Sequence, residues 1–85
     1  MREPTDRQRE VLTLVRDYIS INGYPPTQRE LAAKLGIKSA TAVSDILAAA
    51  EKKGLVRLIP FISRGIQLTA EGLLAIEVAP IEEQP

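Results

Sequence analysis

A mainly α fold closed by a small β-hairpin, three helices and then two short strands, is the class this 85-residue sequence predicts. Three observations predict it. Thr5 with Gln8 and Thr27 with Glu30 have the spacing of capping boxes, in which hydroxyl and N3 side chain each satisfy an orphan backbone N–H at a helix start. Apolar residues then recur at helical spacing as far as Gly54. Past Gly54 the pattern takes on the composition and alternation of strands.

From the Thr5 cap to about Ile21, Val11, Leu14, Val15, Tyr18 and Ile19 form an apolar stripe, so the first helix is long and its stripe is a core face. Arg7, Arg9 and Arg16 fall on its solvated side. Asn22-Gly23-Tyr24-Pro25-Pro26 ends it, since each proline lacks the N–H that a continuing helix needs. The second helix starts at Thr27, buries Leu31, Ala32 and Leu35 on one face and stops at Gly36. Ser39, three residues on, caps a third helix to about Lys53, in which Val43, Ile46, Leu47 and Ala50 follow the i, i+3, i+4, i+7 pattern. A short helix, a glycine turn and a second helix with small polar residues outward is the helix-turn-helix pattern. Its second helix lies in the DNA major groove.

Leu55-Val56-Arg57-Leu58-Ile59 and Ile66-Gln67-Leu68-Thr69 read as two strands joined by a loop too long for a two-residue turn. Three helices plus a hairpin with a protruding loop make a winged helix-turn-helix. Phe61 and Ile62 in the loop are either a packing anchor or an exposed apolar tip, and packing against the domain is the expectation. Thr69 caps a possible short fourth helix to Val78, packing Leu73, Leu74 and Ile76, with Gly72 as its weak point. Residues 79–85 carry two prolines, two acids and no periodicity, and read as a disordered tail or linker. The domain proper is expected over residues 1–70, with the short helix and acidic tail over 71–85.

This length holds one small core and no second domain. With 45% hydrophobic and 26% charged residues, the composition is that of a globular domain and not of a disordered chain. No apolar run approaches the roughly 20 residues of a membrane span and the N-terminus lacks a secretory h-region, so a cytoplasmic location is expected. Cysteine and histidine are both absent, which removes disulfides, the usual zinc sites and the commonest general base. There is no phosphate-binding glycine loop either. The reading therefore assigns no catalytic residue, no metal, no cofactor and no small-molecule ligand.

The formal net charge is zero, but it is unevenly spread. Residues 1–70 carry 11 basic and 7 acidic side chains, a balance of +4, and Glu71, Glu77, Glu82 and Glu83 restore neutrality. A mildly basic domain fits a nucleic-acid partner, with a plain solvated surface as the alternative.

At 100° per residue, the apolar stripe of the third helix leaves Thr41, Asp45, Ala48 and Lys52 opposite it, with Ala42 and Ser44 at the flanks. Thr41 can hydrogen-bond or touch a thymine methyl, and Asp45 can accept from cytosine N4 or simply face solvent. Lys38, Lys52, Lys53, Arg29 and Arg7 are the candidates for phosphate, with the backbone N–H groups near Thr27 and Gln28. Arg64 in the wing suits the negative potential of a narrow minor groove, with a surface ion pair as its alternative.

Four pieces in order, Gly23-Tyr24-Pro25-Pro26-Thr27, Glu30-Leu31-Ala32-Ala33-Lys34-Leu35-Gly36, Lys52-Lys53-Gly54 and Ser63-Arg64-Gly65-Ile66, carry a resemblance to a known family. Over Arg7 to Leu68, about three quarters of the chain, the sequence resembles the N-terminal DNA-binding domain of the LexA repressor family. The resemblance implies a winged helix that represses promoters, typically in the DNA-damage (SOS) response, by binding palindromic operators as a dimer. Ser39 and Ala42 match the family's base-facing positions, whereas Thr41, Ser44 and Asp45 replace residues that are commonly Asn and Glu. A different half-site is therefore expected.

The family's C-terminal half is a self-cleaving peptidase with a Ser and Lys pair that also holds most of the dimer contact, and this sequence ends before it. No catalysis carries over. The expected state is a monomer in solution and a dimer on duplex DNA. The chain is then a piece of a full self-cleaving repressor or a stand-alone relative, and the competing class is a winged-helix protein-interaction module.

Overall fold

Helix starts are set by the caps that the sequence carries. Thr5 Oγ1 accepts from Gln8 N–H at 3.1 Å while Gln8 Oε1 accepts from Thr5 N–H at 3.0 Å, and Thr27 with Glu30 repeats the exchange at 3.0 and 2.9 Å. Residues 3–77 are described in this computed structural model, and the expected tail over 79–85 lies outside them. They run α1 (Asp6–Asn22), α2 (Gln28–Leu35), α3 (Ala40–Lys52), β1 (Val56–Leu58), β2 (Ile66–Leu68) and α4 (Ala70–Glu77). Gly36 ends α2 with φ at 71°, a region where a Cβ costs about 1–2 kcal/mol. Its N–H returns to Ala33 O and that of Ile37 to Ala32 O at 2.9 Å, which turns the chain sharply into α3.

The core gathers Val11, Leu12 and Val15 from α1, Leu31 and Ala32 from α2, and Val43, Leu47 and Ala50 from α3, closed by Leu55, Val56 and Ile66. Full burial of each aliphatic side chain stabilises by about 1.5–3 kcal/mol. Leu12 was absent from the expected stripe, yet it is fully buried, because α1 is packed by α2, α3, α4 and β2 and so buries a wider arc than one stripe. Leu14 and Ile19 sit at the margins of that arc, partly buried.

The strands pair antiparallel with Val56 opposite Leu68, Arg57 opposite Gln67 and Leu58 opposite Ile66. This register turns the four apolar side chains inward and Arg57 and Gln67 outward. Each strand is three residues long, shorter than expected, although Ile59 N–H still donates to Gly65 O at 2.8 Å beyond the last pair.

The expectation that Phe61 and Ile62 pack on the domain is overturned. Phe61 is fully exposed with φ at 65°, and Ile62 is 56% exposed. The chain must reverse between Ile59 and Gly65, and the turn closed by Gly65 N–H on Ile62 O at 3.0 Å uses up the loop. No backbone remains to fold the tip back onto the core.

The fourth helix forms, capped by Thr69 Oγ1, which accepts from Gly72 N–H at 2.9 Å. Ala75 and Ile76 pack on the core and Leu73 is half-buried, but Leu74 faces solvent, a correction that follows from its position on the side of the helix opposite the packed arc of Gly72, Leu73, Ala75 and Ile76. Gly72 is required here: a Cβ on it would lie 1.9 Å from Leu55 O, so α4 lays its backbone directly on the residue after the α3 stop. Arg9, expected in solvent, donates to Ala75 O and ties α1 to α4.

Two substitutions test this packing against sequence preference. Alanine is favoured over glycine in a helix by about 1 kcal/mol, yet Gly72→Ala is expected to destabilise by about 1–3 kcal/mol through the clash, read as a lower melting temperature. Phe61→Gly is expected to leave stability unchanged or raise it by up to about 1 kcal/mol, since it relieves a left-handed φ and uncovers nothing. Truncating a buried phenylalanine costs about 3–5 kcal/mol, and a loss of that size in a denaturant titration would contradict the exposed tip.

Candidate nucleic-acid interface

Helix α3 is buried on one face by Val43, Leu47 and Ala50, and this fixes what it offers on the other. Thr41, Asp45, Ala48 and Lys52 are exposed along the outer face, flanked by the half-buried Ala42 and Ser44. Ser39 Oγ accepts from Thr41 N–H at 3.1 Å and so caps the helix, while a serine hydroxyl keeps one proton to donate. The outer face is built of side chains no longer than Asp over its first three turns, which lets a helix backbone approach base edges closely.

The cations expected around this face divide into two groups. Lys38, Arg29 and Lys52 are exposed, and Arg7 is exposed in an i,i+3 pair with Glu10 at 2.9 Å. Lys53 is placed differently from expectation: its ammonium donates to Gln8 Oε1 at 2.8 Å and Glu3 O at 2.9 Å, fastening the end of α3 to the start of α1. Thr27 is occupied as the cap of α2, and Gln28 is half-buried in the first turn beside it. Arg57 on the outward face of β1 is an exposed cation to which the sequence reading gave no role.

Arg64 does not project from the wing. Its two terminal nitrogens donate to the two carboxylate oxygens of Glu30 at 2.9 and 3.0 Å, and Nη1 also donates to Pro25 O at 2.8 Å. The guanidinium carbon lies 4.8 Å from the Tyr24 ring centroid and 6.0 Å from that of Tyr18, and the two rings meet edge to face. Of the two readings left open for this residue, the geometry is that of the ion pair. Local pattern gives Glu30 only a capping role, Tyr18 a place in a stripe and Tyr24 a place in a linker, because partners 34, 46 and 40 positions away leave no local signal.

The Arg64 guanidinium first, and the Thr27 N–H second, hold the Glu30 carboxyl at about 2, below its ordinary 4.5. The same pairing pushes Arg64 up, so both stay charged through the neutral range.

A shallow open depression lined by Asp6, Arg9, Glu10, Thr13, Leu14 and Lys34 draws nothing from α3 or the wing. No helix among the described residues is long and apolar enough to cross a membrane.

A short helix, a glycine turn, a helix with one free face and a two-stranded wing are thus assembled in one body, and comparison with known proteins agrees with this arrangement. The family model for the LexA DNA binding domain matches residues 1–65. The chain belongs to the LexA DNA-binding-domain family. Among relatives, the LexA repressor of Shewanella piezotolerans is 51% identical over 71 residues, which is 84% of this chain and 34% of the relative. The LexA repressor of Shewanella sp. strain W3-18-1 is 46% identical over 77 residues, covering 91% of this chain and 37% of its own length. The chain therefore spans about a third of the length of the LexA repressors it matches. The fold is also similar to a crystal structure of a hypothetical protein, at a TM-score of 0.66 and 26% identity over 93% of this chain and 27% of the other. The helix α4 lies beyond the residues that the LexA model matches.

The Glu30 pair gives a pH dependence of known sign. A carboxyl whose pKa falls on folding adds stability that is complete above its unfolded value, here near 4.5, and is lost as pH drops toward the folded value of about 2. Glu30→Gln removes that contribution and keeps an N3 amide for the capping box. Thermal melts are expected to show the wild type falling more steeply than Glu30→Gln between pH 4.5 and 2, with the two curves parallel above that window.

Proposed function

We propose that this chain is the operator-binding part of a LexA-like transcriptional repressor, with α3 in the major groove of duplex DNA and the wing beside the adjacent minor groove. The observation that carries the reading is the free face of α3. A helix held from behind by Val43, Leu47 and Ala50 and fronted by Thr41, Ala42, Ser44, Asp45 and Ala48 can sit deep in a groove. Ser39 and Thr41 offer hydroxyls to base edges, Ala42 is positioned for a thymine methyl, and Ser44 and Asp45 extend the reading along the groove. Asp45 is a selectivity residue: a carboxylate among phosphates weakens attraction everywhere and gains only where a cytosine N4 faces it.

Lys38, Arg29, Lys52 and Arg7 then hold phosphates, with the backbone N–H of Gln28 in the first turn of α2 adding a helix N-terminus, since that of Thr27 is already given to Glu30. Two copies bind a palindromic operator whose half-sites lie one helical turn, about 34–36 Å, or a multiple apart. In free solution this chain is a monomer.

A second reading, a winged helix that binds a protein, has the exposed Phe61 and Ile62 in its favour. It predicts no salt-dependent attraction to DNA.

The test is a selection from duplexes with randomised half-sites, repeated with Thr41→Ala and Asp45→Ala. Each substitution is expected to flatten preference at one or two base pairs, at about 1–3 kcal/mol per contact. Asp45→Ala leaves non-specific affinity unchanged or slightly higher. Identical preferences for all three proteins would take α3 out of the groove. With four side chains on phosphate per subunit, log affinity is expected to fall with log salt at a slope of about −3 to −4, measured by fluorescence anisotropy. A slope near zero would favour the protein-binding reading.

A further inference from the structure

We propose that Arg64 is a positioning residue for DNA binding, which pins the wing to the start of α2 and so sets the angle between wing and recognition helix. The proposal deepens the DNA-binding reading above and rests on it. Its basis is where the donors of Arg64 go. The planar fork matches a carboxylate in two parallel bonds, and both terminal nitrogens are used that way on Glu30 at 2.9 and 3.0 Å. The Pro25 carbonyl takes a further bond at 2.8 Å and the Tyr24 ring lies against the guanidinium carbon at 4.8 Å. To enter a minor groove the side chain would give up all of these and leave the Glu30 carboxylate without its cation.

The contacts also join parts that nothing else holds together in the same way. A hairpin of two three-residue strands is marginal by itself. Val56 and Ile66 anchor its near side in the core, but the loop beyond Ile59 has no apolar anchor, since Phe61 and Ile62 face solvent. Arg64 supplies a charged anchor in its place, crossing to residues 34 and 39 positions earlier in the chain. Its neighbour Gly65 keeps the loop in register: a Cβ there would lie 2.7 Å from Ile59 O, so the hairpin neck closes backbone on backbone. Glu30 Oε1 is at the same time the partner of Thr27 N–H, at 2.9 Å. The pin is therefore fixed to the first turn of α2, the turn proposed to meet phosphate, and the wing cannot tilt without disturbing it. An ion pair that stays closed on DNA neutralises no phosphate.

Glu30→Gln separates this role from a direct DNA contact by sign. If Arg64 touched DNA, removing the carboxylate beside it would free the cation and remove a repulsive charge, and binding would tighten. If Arg64 is the pin, Glu30→Gln loosens the wing and binding weakens, because fewer molecules hold the competent geometry. The probe is the duplex that the wild type selects from the randomised pool, titrated by anisotropy across a salt series, with Lys38→Ala as the reference for a phosphate contact. Expected are affinities about fivefold lower for both Glu30→Gln and Arg64→Ala, a double variant no weaker than the worse single one, and an unchanged salt slope. Lys38→Ala instead loses about 0.9 of slope. Tighter or equal binding by Glu30→Gln, or a slope loss of that size for Arg64→Ala, overturns the proposal.

Amide hydrogen exchange without DNA is the second readout. Both variants are expected to exchange faster at Ile59 and Gly65, whose N–H groups close the wing, with the α1 core amides unchanged. Unchanged exchange at Ile59 and Gly65 in Glu30→Gln overturns the pin even if no duplex is selected, whereas a failed selection with faster exchange counts against the DNA-binding reading alone. Should Arg64→Ala fail to fold, Glu30→Gln keeps its capping partner and carries both measurements.

Discussion

One small core, with no disulfide to reinforce it, is the constraint on which the rest of this molecule depends. A chain of this size buries only about 60% of the surface its unfolded form exposes, so each aliphatic side chain that closes on α1 matters. Helix α3 can present a free face because Val43, Leu47 and Ala50 are fully taken up behind it. The short strands are held for the same reason: Val56 and Ile66 belong to the core before they belong to a sheet. Even α4 reaches the core only by bringing the Gly72 backbone onto Leu55, with no side chain between.

Around that core, polar side chains act as fasteners between elements. Glu30 is the most connected of them, capping α2 through Thr27 and receiving the fork of Arg64 from the wing. Lys53 ties the end of α3 to Gln8, itself the capping partner of Thr5, and Arg9 ties α1 to the Ala75 carbonyl of α4. Exposed ion pairs contribute little singly, at most about 1 kcal/mol. The effect of these three fasteners is on geometry, because each links elements distant in sequence.

This use of cations alters what the charge pattern means. The +4 balance of residues 1–70 counts Lys53, Arg9 and Arg64 as though they were available to phosphate, whereas each is held by an internal acceptor. Lys38, Arg29 and Arg57 reach solvent. The charge available to an outside partner is therefore smaller than the formal balance of residues 1–70.

Local patterns were sufficient for the elements themselves. Thr5 with Gln8, Thr27 with Glu30, and Ser39 specify three helix starts through bonds spanning two or three residues, and the stripe of α3 specifies its buried and free faces through helical periodicity. The alternation in the two strands likewise predicts which side chains turn inward, since a slip of one residue would turn Val56 or Ile66 out of the core. What had no local pattern was decided by tertiary structure. The exposure of Phe61 follows from how a seven-residue reversal closes on itself, the need for glycine at position 72 from a carbonyl 17 residues earlier, and the destination of Arg64 from a carboxylate 34 residues earlier. Hydropathy and charge describe a side chain by itself, but whether an arginine faces a groove or a glutamate depends on which elements the core has already brought within reach of it.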